Sequence, residues 1–132
     1  MRSQLSKPFY VRQMGTIIKA ICNCGFKSED VFAGGGFSNF RTICLAPALC
    51  LNCKTFVVKN YLNKYSRCPV CRKKVTFYNN PILQVSTVDL DKESIFSWHT
   101  KEKEEFLLPD TLYLCPKCEQ IRLKFVWIGN WD

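Results

Sequence analysis

The chain has one histidine, His99, and lacks several features of common protein classes. This single histidine leaves general-base chemistry with one poor candidate, so no catalytic residue is assigned and the sequence leans against an enzyme. No stretch approaches the roughly 20 uninterrupted apolar residues of a membrane-spanning helix. Residues 1–11 contain Arg2 and Lys7 without an apolar run behind them, so a secretory signal is not indicated. We therefore expect a cytoplasmic protein with no membrane partner, and no small-molecule substrate is inferred.

Cysteine, in contrast, is abundant. The 132 residues include nine cysteines, and 47% of the chain is apolar, which suffices for one folded domain with a core. Many cysteines without a secretory signal indicate a reducing compartment and metal binding, not a framework of disulfides. Because the count is odd, at least one cysteine lies outside any set of complete four-cysteine sites.

The most specific motif is a pair of C-x-x-C sequences in the middle of the chain. Cys50 and Cys53 are followed, after fourteen residues, by Cys68 and Cys71. Each short turn brings two sulfurs within reach of one ion, and two such turns supply the four corners of a tetrahedron. Four thiolates select zinc, with iron as the alternative. Two disulfides or four buried thiols are the competing interpretations.

Four further cysteines could form a second site. Cys22 and Cys24 form a C-x-C pair near the start, and Cys115 and Cys118 form a C-P-K-C pair near the end. If they share an ion, the sequence predicts two zinc ions and a clasp that joins the two ends of the domain. Two alternatives remain open: a cross-braced arrangement, in which each of these pairs shares an ion with one central pair, and a single zinc in the central quartet.

The remaining candidate ligands are Cys44 and His99. Cys44 lies in an apolar run, and we expect it to be a core residue, with a role as substitute ligand as the alternative. His99 could complete a Cys₃His site, but we expect a surface or core-edge position for it. The C-P-V-C and C-P-K-C motifs look like redox dithiols, yet no long helix that would support such chemistry is indicated.

Residues 48–78 resemble the zinc-ribbon (rubredoxin-like knuckle) class through the central quartet. That resemblance implies a β-hairpin-rich fold in which two knuckles, the tight turns that carry the cysteine pairs, grip one zinc. The class commonly has glycine after the second cysteine of each knuckle, where this chain has Lys54 and Arg72. The layout is also similar to that of small zinc-ribbon proteins of bacteria and archaea, a resemblance that implies no particular activity.

Together, these features predict a small, mainly β, metal-stabilised protein with antiparallel strands and little helix. We predict a loose leader over residues 1–13 and one zinc-binding domain over 14–132. Its parts are a central ribbon at 48–78 and terminal knuckles at 22–25 and 115–118. Strands are predicted at residues 16–21, 26–32, 41–46, 55–62, 74–78, 82–90 and 121–128. Residues 74–78 are expected to pair with 55–62, and 101–106 to form a short helix or a loop.

Charge is distributed unevenly along the chain. The net charge is +8, and it falls to about +4 if eight thiolates bind two zinc ions. Residues 51–80 contain no acidic residue. They carry seven basic ones: Lys54, Lys59, Lys64, Arg67, Arg72, Lys73 and Lys74. These cations could contact phosphates while neighbouring aromatics stack on bases, so RNA or DNA is the first candidate partner. Equally, the aromatics could belong to the core and the cations to a solvated surface.

The sequence therefore favours a protein with structural zinc sites that is a nucleic-acid-binding or regulatory module. A protein-interaction or assembly module is the second interpretation, through the acidic segment 89–110 or the aromatic segment 125–131. A metal-delivery or redox protein is the third.

Overall fold

The computed structural model describes residues 15–35, 43–63, 65–85, 94–99 and 105–131, so the predicted leader lies outside it. Within these ranges, the strands are β1 (Gly15–Ile21), β2 (Val31–Ala33), β3 (Leu45–Cys50), β4 (Thr55–Asn60), β5 (Thr76–Phe77), β6 (Ser94–His99), β7 (Glu105–Pro109), β8 (Tyr113–Leu114) and β9 (Ile121–Trp131). The helical structure described is one 3-10 turn, Pro81–Leu83. None of the described segments is a helix long and apolar enough to cross a membrane. The prediction of a mainly β, antiparallel protein with little helix is confirmed.

The described strands form three antiparallel sheets, with orders β2-β1-β9-β8, β4-β3-β5 and β6-β7. The longest pairing joins β1 to β9, from Gly15 opposite Trp131 to Ile21 opposite Lys124. Because these strands are antiparallel, the end of β1 and the start of β9 lie side by side. This register places the first and last cysteine pairs at the same end of the sheet.

Three predicted strands, at 16–21, 55–62 and 121–128, are confirmed as β1, β4 and β9. Their β-branched and aromatic residues suit a pleated, half-buried surface. Strand β9 extends further than predicted, to Trp131, whose indole Nε1 donates to the Ala33 carbonyl at 3.0 Å. The Trp131 ring lies against Gly15, and a side chain on Gly15 would collide with it.

The main core takes buried residues from all three sheets and is rich in aromatic rings. Tyr78 is fully buried, and its hydroxyl donates to the Leu114 carbonyl at 2.8 Å. The ring centroids of Tyr78 and Phe125 are 5.3 Å apart, and those of Tyr113 and Phe125 are 5.0 Å apart. Edge-on packing of this kind stabilises beyond the burial of area alone.

A smaller buried cluster supports the end of the second sheet. Its members are Ala48, Cys50, Val57, Cys68 and Val75. Two of these five residues are cysteines, and the side chains of Cys53, Cys71 and Phe77 pack against the cluster. The apolar packing available to this end of the molecule is therefore limited.

The predicted strand at 41–46, which was to end before Pro47, is wrong in its position. Strand β3 begins at Leu45 and runs through Pro47 to Cys50, between β4 and β5. The Tyr78 N–H donates to the Pro47 carbonyl at 3.1 Å, but Pro47 has no N–H with which to return a bond. The Tyr78 carbonyl instead accepts from Gln84 Nε2 at 3.0 Å. This side-chain amide compensates for a proline in a central strand.

The predicted pairing of residues 74–78 with 55–62 is also wrong. Strand β5 pairs with β3, through Ala48 opposite Phe77 and Leu49 opposite Thr76. Strand β4 pairs with the other edge of β3 along six positions. The turn after Cys50 connects β3 directly to β4. Strand β3 therefore lies in the middle of this sheet, between β4 and β5.

Three other segments differ from the predictions. In 26–32, the regular strand is confined to β2, with an isolated bridge between Ile21 and Lys27. In 82–90, a 3-10 turn begins after Asn80, whose side chain caps it, and residues 86–90 lie outside the described residues. In 101–106, the described residues 105 and 106 belong to β7, which pairs with β6, and residues 101–104 are not described. Because this stretch is rich in charged residues, the sequence did not predict the hairpin.

Candidate metal centres

Eight cysteines form two groups in the structure. The central cluster comprises Cys50, Cys53, Cys68 and Cys71. The clasp cluster comprises Cys22, Cys24, Cys115 and Cys118. Within each group all four sulfurs lie within 4.8 Å of one another. The structure thus brings together the groups of the clasp arrangement, and not those of the cross-braced one.

The central cluster lies where β3 ends and where the chain turns before β5. Cys50 Sγ and Cys71 Sγ are 3.4 Å apart, and Cys53 Sγ and Cys68 Sγ are also 3.4 Å apart. A tetrahedron with metal–sulfur distances of about 2.3 Å has sulfur–sulfur edges of about 3.8 Å. A disulfide would need a separation of about 2.0 Å. The spacing therefore fits four ligands around an ion and excludes disulfides between these pairs.

The clasp cluster brings together the segment after β1 and the turn before β9. Cys22 Sγ lies 3.8 Å from Cys118 Sγ, and Cys24 Sγ lies 3.6 Å from Cys115 Sγ. These distances are closer than those of the central cluster to the tetrahedral edge of about 3.8 Å. Cys22 and Cys24 follow β1, whereas Cys115 and Cys118 lie in the turn from β8 to β9. The β1–β9 pairing therefore positions the cluster.

The same type of backbone hydrogen bond closes each of the four cysteine turns. The residue after the second cysteine donates its N–H to the carbonyl of the first, over 2.8–3.0 Å. The donors and acceptors are Gly25 to Cys22, Lys54 to Cys50, Arg72 to Cys68 and Glu119 to Cys115. The same tight turn thus recurs in both clusters, although one of the four pairs is C-x-C.

Each donor in these turns has a left-handed backbone. Their φ angles are 105° for Gly25, 57° for Lys54, 68° for Arg72 and 59° for Glu119. Apart from these, the one left-handed residue among the described ranges is Gly34, with a φ of 88°. A residue with a side chain loses roughly 1–2 kcal/mol in this conformation. The chain therefore has the turn geometry for which glycine is favoured, despite having Lys54 and Arg72 where the zinc-ribbon class commonly has glycine.

Backbone amides of the turns also point at the sulfurs. The N–H groups of Cys71 and Val70 lower the pKa of the Cys68 thiol to about 6. The Phe26 N–H lowers the pKa of Cys24 to about 7, and the Lys73 N–H lowers that of Cys71. Such donors stabilise negative charge on sulfur, which is the form that binds metal ions.

Two other thiols have raised pKa values. Burial raises the pKa of Cys115 to about 12, against the opposing N–H groups of Cys118 and Lys117. The Thr55 hydroxyl acts to lower the pKa of Cys53, but hydrogen bonding to Cys68 and burial outweigh it and raise the value to about 11. Without a cation, four neighbouring thiolates would repel one another. Each cluster therefore has N–H donors that stabilise thiolates, and its four thiolates together require a positive charge at the centre.

The donor set and geometry of each cluster fit a metal ion. Four sulfurs surround one point, at tetrahedral spacing, with amide hydrogen bonds to several of them. The two clusters could together bind two metal ions. In such a site the protein supplies all four ligands and the coordination sphere is closed, which is the arrangement of structural sites.

Cys44 is a member of neither group. Cys44 is fully buried in the main core, and burial raises the pKa of its thiol to about 12. Its backbone N–H donates to Asn60 Oδ1 at 3.0 Å. Cys44 therefore has the core position expected for it. His99 is the last residue of β6, opposite Glu105 in β7.

Most of the basic residues predicted to contact nucleic acid surround the central cluster. Five are exposed: Lys54, Arg67, Arg72, Lys73 and Lys74. Lys59 is half-buried, and Lys64 lies outside the described residues. The turn that carries Cys68 and Cys71 is closed by a bridge between Arg67 and Lys74. The Arg67 guanidinium also donates to the Arg72 carbonyl at 3.2 Å.

The aromatic residues among these cations mostly belong to the core. Phe56 packs against Phe26, Tyr78 and Phe125, with ring centroids 5.8–6.3 Å apart. Tyr61 and Phe77 pack edge-on at 5.1 Å. Among the aromatic residues of the basic stretch, Tyr65 is the exposed one, at 75%. Stacking on several exposed rings is therefore not available here.

Two side chains near the clusters were missed in the sequence. The Thr55 hydroxyl lies 3.1 Å from Cys53 Sγ. Lys54 Nζ lies 3.9 Å from Glu119 Oε1, so an ion pair joins the turn after Cys53 to the turn after Cys118. A threonine two residues after a cysteine could have suggested the first contact. Nothing in the sequence indicates that the two turns are neighbours.

Comparisons with protein-family models, with curated proteins and with solved structures gave no match for this chain.

Proposed function

We propose that this chain is a zinc-binding protein whose two four-cysteine sites are structural. The observation that carries the proposal is the spacing of the sulfurs, 3.4 Å in the central cluster and 3.6–3.8 Å in the clasp cluster, with four equivalent turns around them. Zinc is favoured over iron because it has no redox chemistry and accepts any closed tetrahedron of thiolates. The central cluster, with little apolar packing beside it, is where an ion would contribute most to folding, by about 10 kcal/mol or more.

Native mass spectrometry of protein purified without chelator tests this proposal. We expect a mass increase that corresponds to two zinc ions over the acid-denatured chain. Cys115→Ser and Cys68→Ser should each reduce the count to one, because they remove a ligand from different clusters. Cys44→Ala is the matched control and should retain both ions. Protein that is folded and metal-free, with the eight thiols of the two clusters reduced, would contradict the proposal.

As to a partner, we propose nucleic acid. Five exposed cations, Lys54, Arg67, Arg72, Lys73 and Lys74, surround the central cluster. Residues 51–80 have no acidic residue that could neutralise them from within. A compact set of cations held by a rigid turn can follow a phosphate backbone.

Binding to a single-stranded oligonucleotide at several salt concentrations tests this second proposal. Each phosphate contact contributes about 0.7 to the slope of log affinity against log salt concentration. The double variant Arg67→Ala and Lys73→Ala should weaken binding and reduce that slope. The matched control is the double variant Arg122→Ala and Lys124→Ala, which removes an exposed arginine and an exposed lysine on β9. Equal effects of both changes, or no binding, would contradict a nucleic-acid role.

A protein-interaction role is the competing proposal, and exposed apolar residues of the first sheet support it. Phe32 is 46% exposed and Trp127 is 58% exposed, with Ile128 beside it at 47%. Strands β2, β1 and β9 are adjacent, so these side chains belong to one sheet. Association with a protein that is insensitive to salt and is lost in Trp127→Ser would favour this role.

A further inference from the structure

A cleft of about 600 Å³ lies beside β5, next to the central cluster. The residues that line it carry two aromatic rings, two carboxamides, a hydroxyl and an ammonium group. These belong to Tyr61, Phe77, Asn79, Asn80, Thr76 and Lys74. The volume lies within the range of about 300–1,000 Å³ that is usual for small-molecule sites.

The two carboxamides present complementary hydrogen-bonding groups. Asn79 Nδ2 donates to the Tyr61 hydroxyl at 3.2 Å, which leaves Asn79 Oδ1 as an acceptor. Asn80 Oδ1 accepts from the Ile82 N–H at 3.1 Å, which leaves Asn80 Nδ2 as a donor. Both orientations are therefore fixed by bonds within the protein. One acceptor and one donor are the pair that the edge of a nucleobase can match.

The remaining features of the cleft also suit a nucleotide. Tyr61 and Phe77 are half-buried and packed edge-on, so two residues that line the cleft have fixed ring positions. Lys74 belongs both to the cleft and to the exposed cations around the central cluster. A phosphate at Lys74 would join a base in the cleft to a strand that continues over Lys73 and Arg72.

We propose that the β5 cleft is a binding site for one nucleotide, with its base at Asn79 and Asn80 and its phosphate at Lys74. This inference extends the nucleic-acid role proposed above, because it adds a position at which a strand is read by base contacts. Since a paired base has its edge covered, the site requires a single-stranded nucleic acid or a free nucleotide.

Nitrogen–proton correlation NMR of the full-length, zinc-loaded protein tests the site directly, with uridine and adenosine monophosphates as probes. We expect shifts of the Asn79 and Asn80 side-chain amides and of the Phe77 backbone amide, saturating at millimolar nucleotide. Inorganic phosphate and the uncharged nucleosides are the ligand controls. Phosphate that reproduces the same shifts would show a simple anion site and overturn the inference.

Variants separate this site from the surrounding charge. Asn79→Ala should raise the dissociation constant for the nucleotide about fivefold or more, since a fixed hydrogen-bonding group is lost. Lys74→Ala should raise it similarly, while the matched control, Lys124→Ala on β9, leaves the mononucleotide affinity unchanged. Asn79→Ser, which keeps a hydroxyl near Tyr61, guards against a loss of folding in the alanine variant.

The outcomes distinguish the two proposals. An oligonucleotide that binds with a steep salt dependence, without any mononucleotide shift in the cleft, would refute the cleft and leave the nucleic-acid role intact. Mononucleotide shifts that Asn79→Ala abolishes, in a protein that binds no oligonucleotide, would support the cleft and refute that role. Shifts that are spread over the basic surface and are equal in Asn79→Ala would refute the cleft.

Discussion

Replacing Arg72 by glycine should make this protein more stable, although the change removes a whole side chain. Arg72 follows the second cysteine of its turn and has a φ of 68°, where a residue with a Cβ loses roughly 1–2 kcal/mol. Glycine removes that strain but makes the unfolded chain more flexible, at a cost of about 0.4–1 kcal/mol. The net expectation is a stabilisation of about 0.5–1 kcal/mol, because the exposed arginine side chain contributes little packing.

The measurement is reversible urea unfolding of the zinc-loaded protein at fixed free zinc, since the metal concentration itself changes apparent stability. Thermal unfolding should show a rise in melting temperature of about 2–4 °C. Lys73→Gly is the matched control. It is also exposed and lies next in the chain, but it does not have a left-handed backbone, so it should lose about 0.5–1 kcal/mol.

The converse change is Gly25→Ala in the clasp cluster. A Cβ on Gly25 would come no closer than 3.5 Å to Lys117 Nζ, so there is room for it. The backbone φ of 105° alone should therefore destabilise the variant, by about 1–2 kcal/mol. Equal destabilisation by Arg72→Gly and Lys73→Gly would refute the left-handed turn as the common element of the two clusters.

Three other predictions concern the surroundings of the clusters and the core. Thr55→Val removes the hydroxyl beside Cys53 and should weaken zinc binding about tenfold in competition with a chromophoric chelator, whereas unchanged affinity would show that the contact is incidental. Tyr78→Phe leaves the Leu114 carbonyl without its donor and should cost about 1–3 kcal/mol in urea unfolding; a loss of a few tenths would indicate a replacement by water. Burial raises the pKa of Tyr78 and of Tyr113 above the ordinary value of 10.0, so stability should be retained below that pH and decline above it, as the unfolded chain releases protons that the folded one keeps. Tyrosinate absorbance that rises near the ordinary pKa in folded protein would contradict the last expectation.

The cysteine spacing contained most of the information about the site. Two knuckles at the observed separation predicted the central group, and elimination suggested the composition of the clasp. The turn conformation was obscured, because Lys54, Arg72 and Glu119 occupy positions where glycine would have been informative. Backbone hydrogen bonds fix that conformation, and side-chain identity is a weak reporter of it.

The errors in the fold have a common physical origin. Pro47 was interpreted as the end of a strand, but a side-chain amide from Gln84, far along the chain, supplies the missing donor. The β6–β7 hairpin was missed because charged residues dominate the stretch around it, although Phe106 and Leu108 alternate inward in β7. Both features depend on contacts with residues outside the strand concerned, Gln84 beside β3 and β5, and β6 beside β7, which local propensity does not include.

The clasp also has a consequence for the order in which the chain can assemble during synthesis. The contacts of the central cluster span 21 residues at most, whereas Cys22 and Cys118 are 96 residues apart. Closing the longer loop costs only about 1 kcal/mol more entropy, so the difference lies mainly in timing. A metal ion could therefore bind to the central cluster before Cys115 and Cys118 have left the ribosome. Cys22 and Cys24 must wait as free thiols until Cys118 emerges, and throughout that interval they are open to oxidation or to a competing metal.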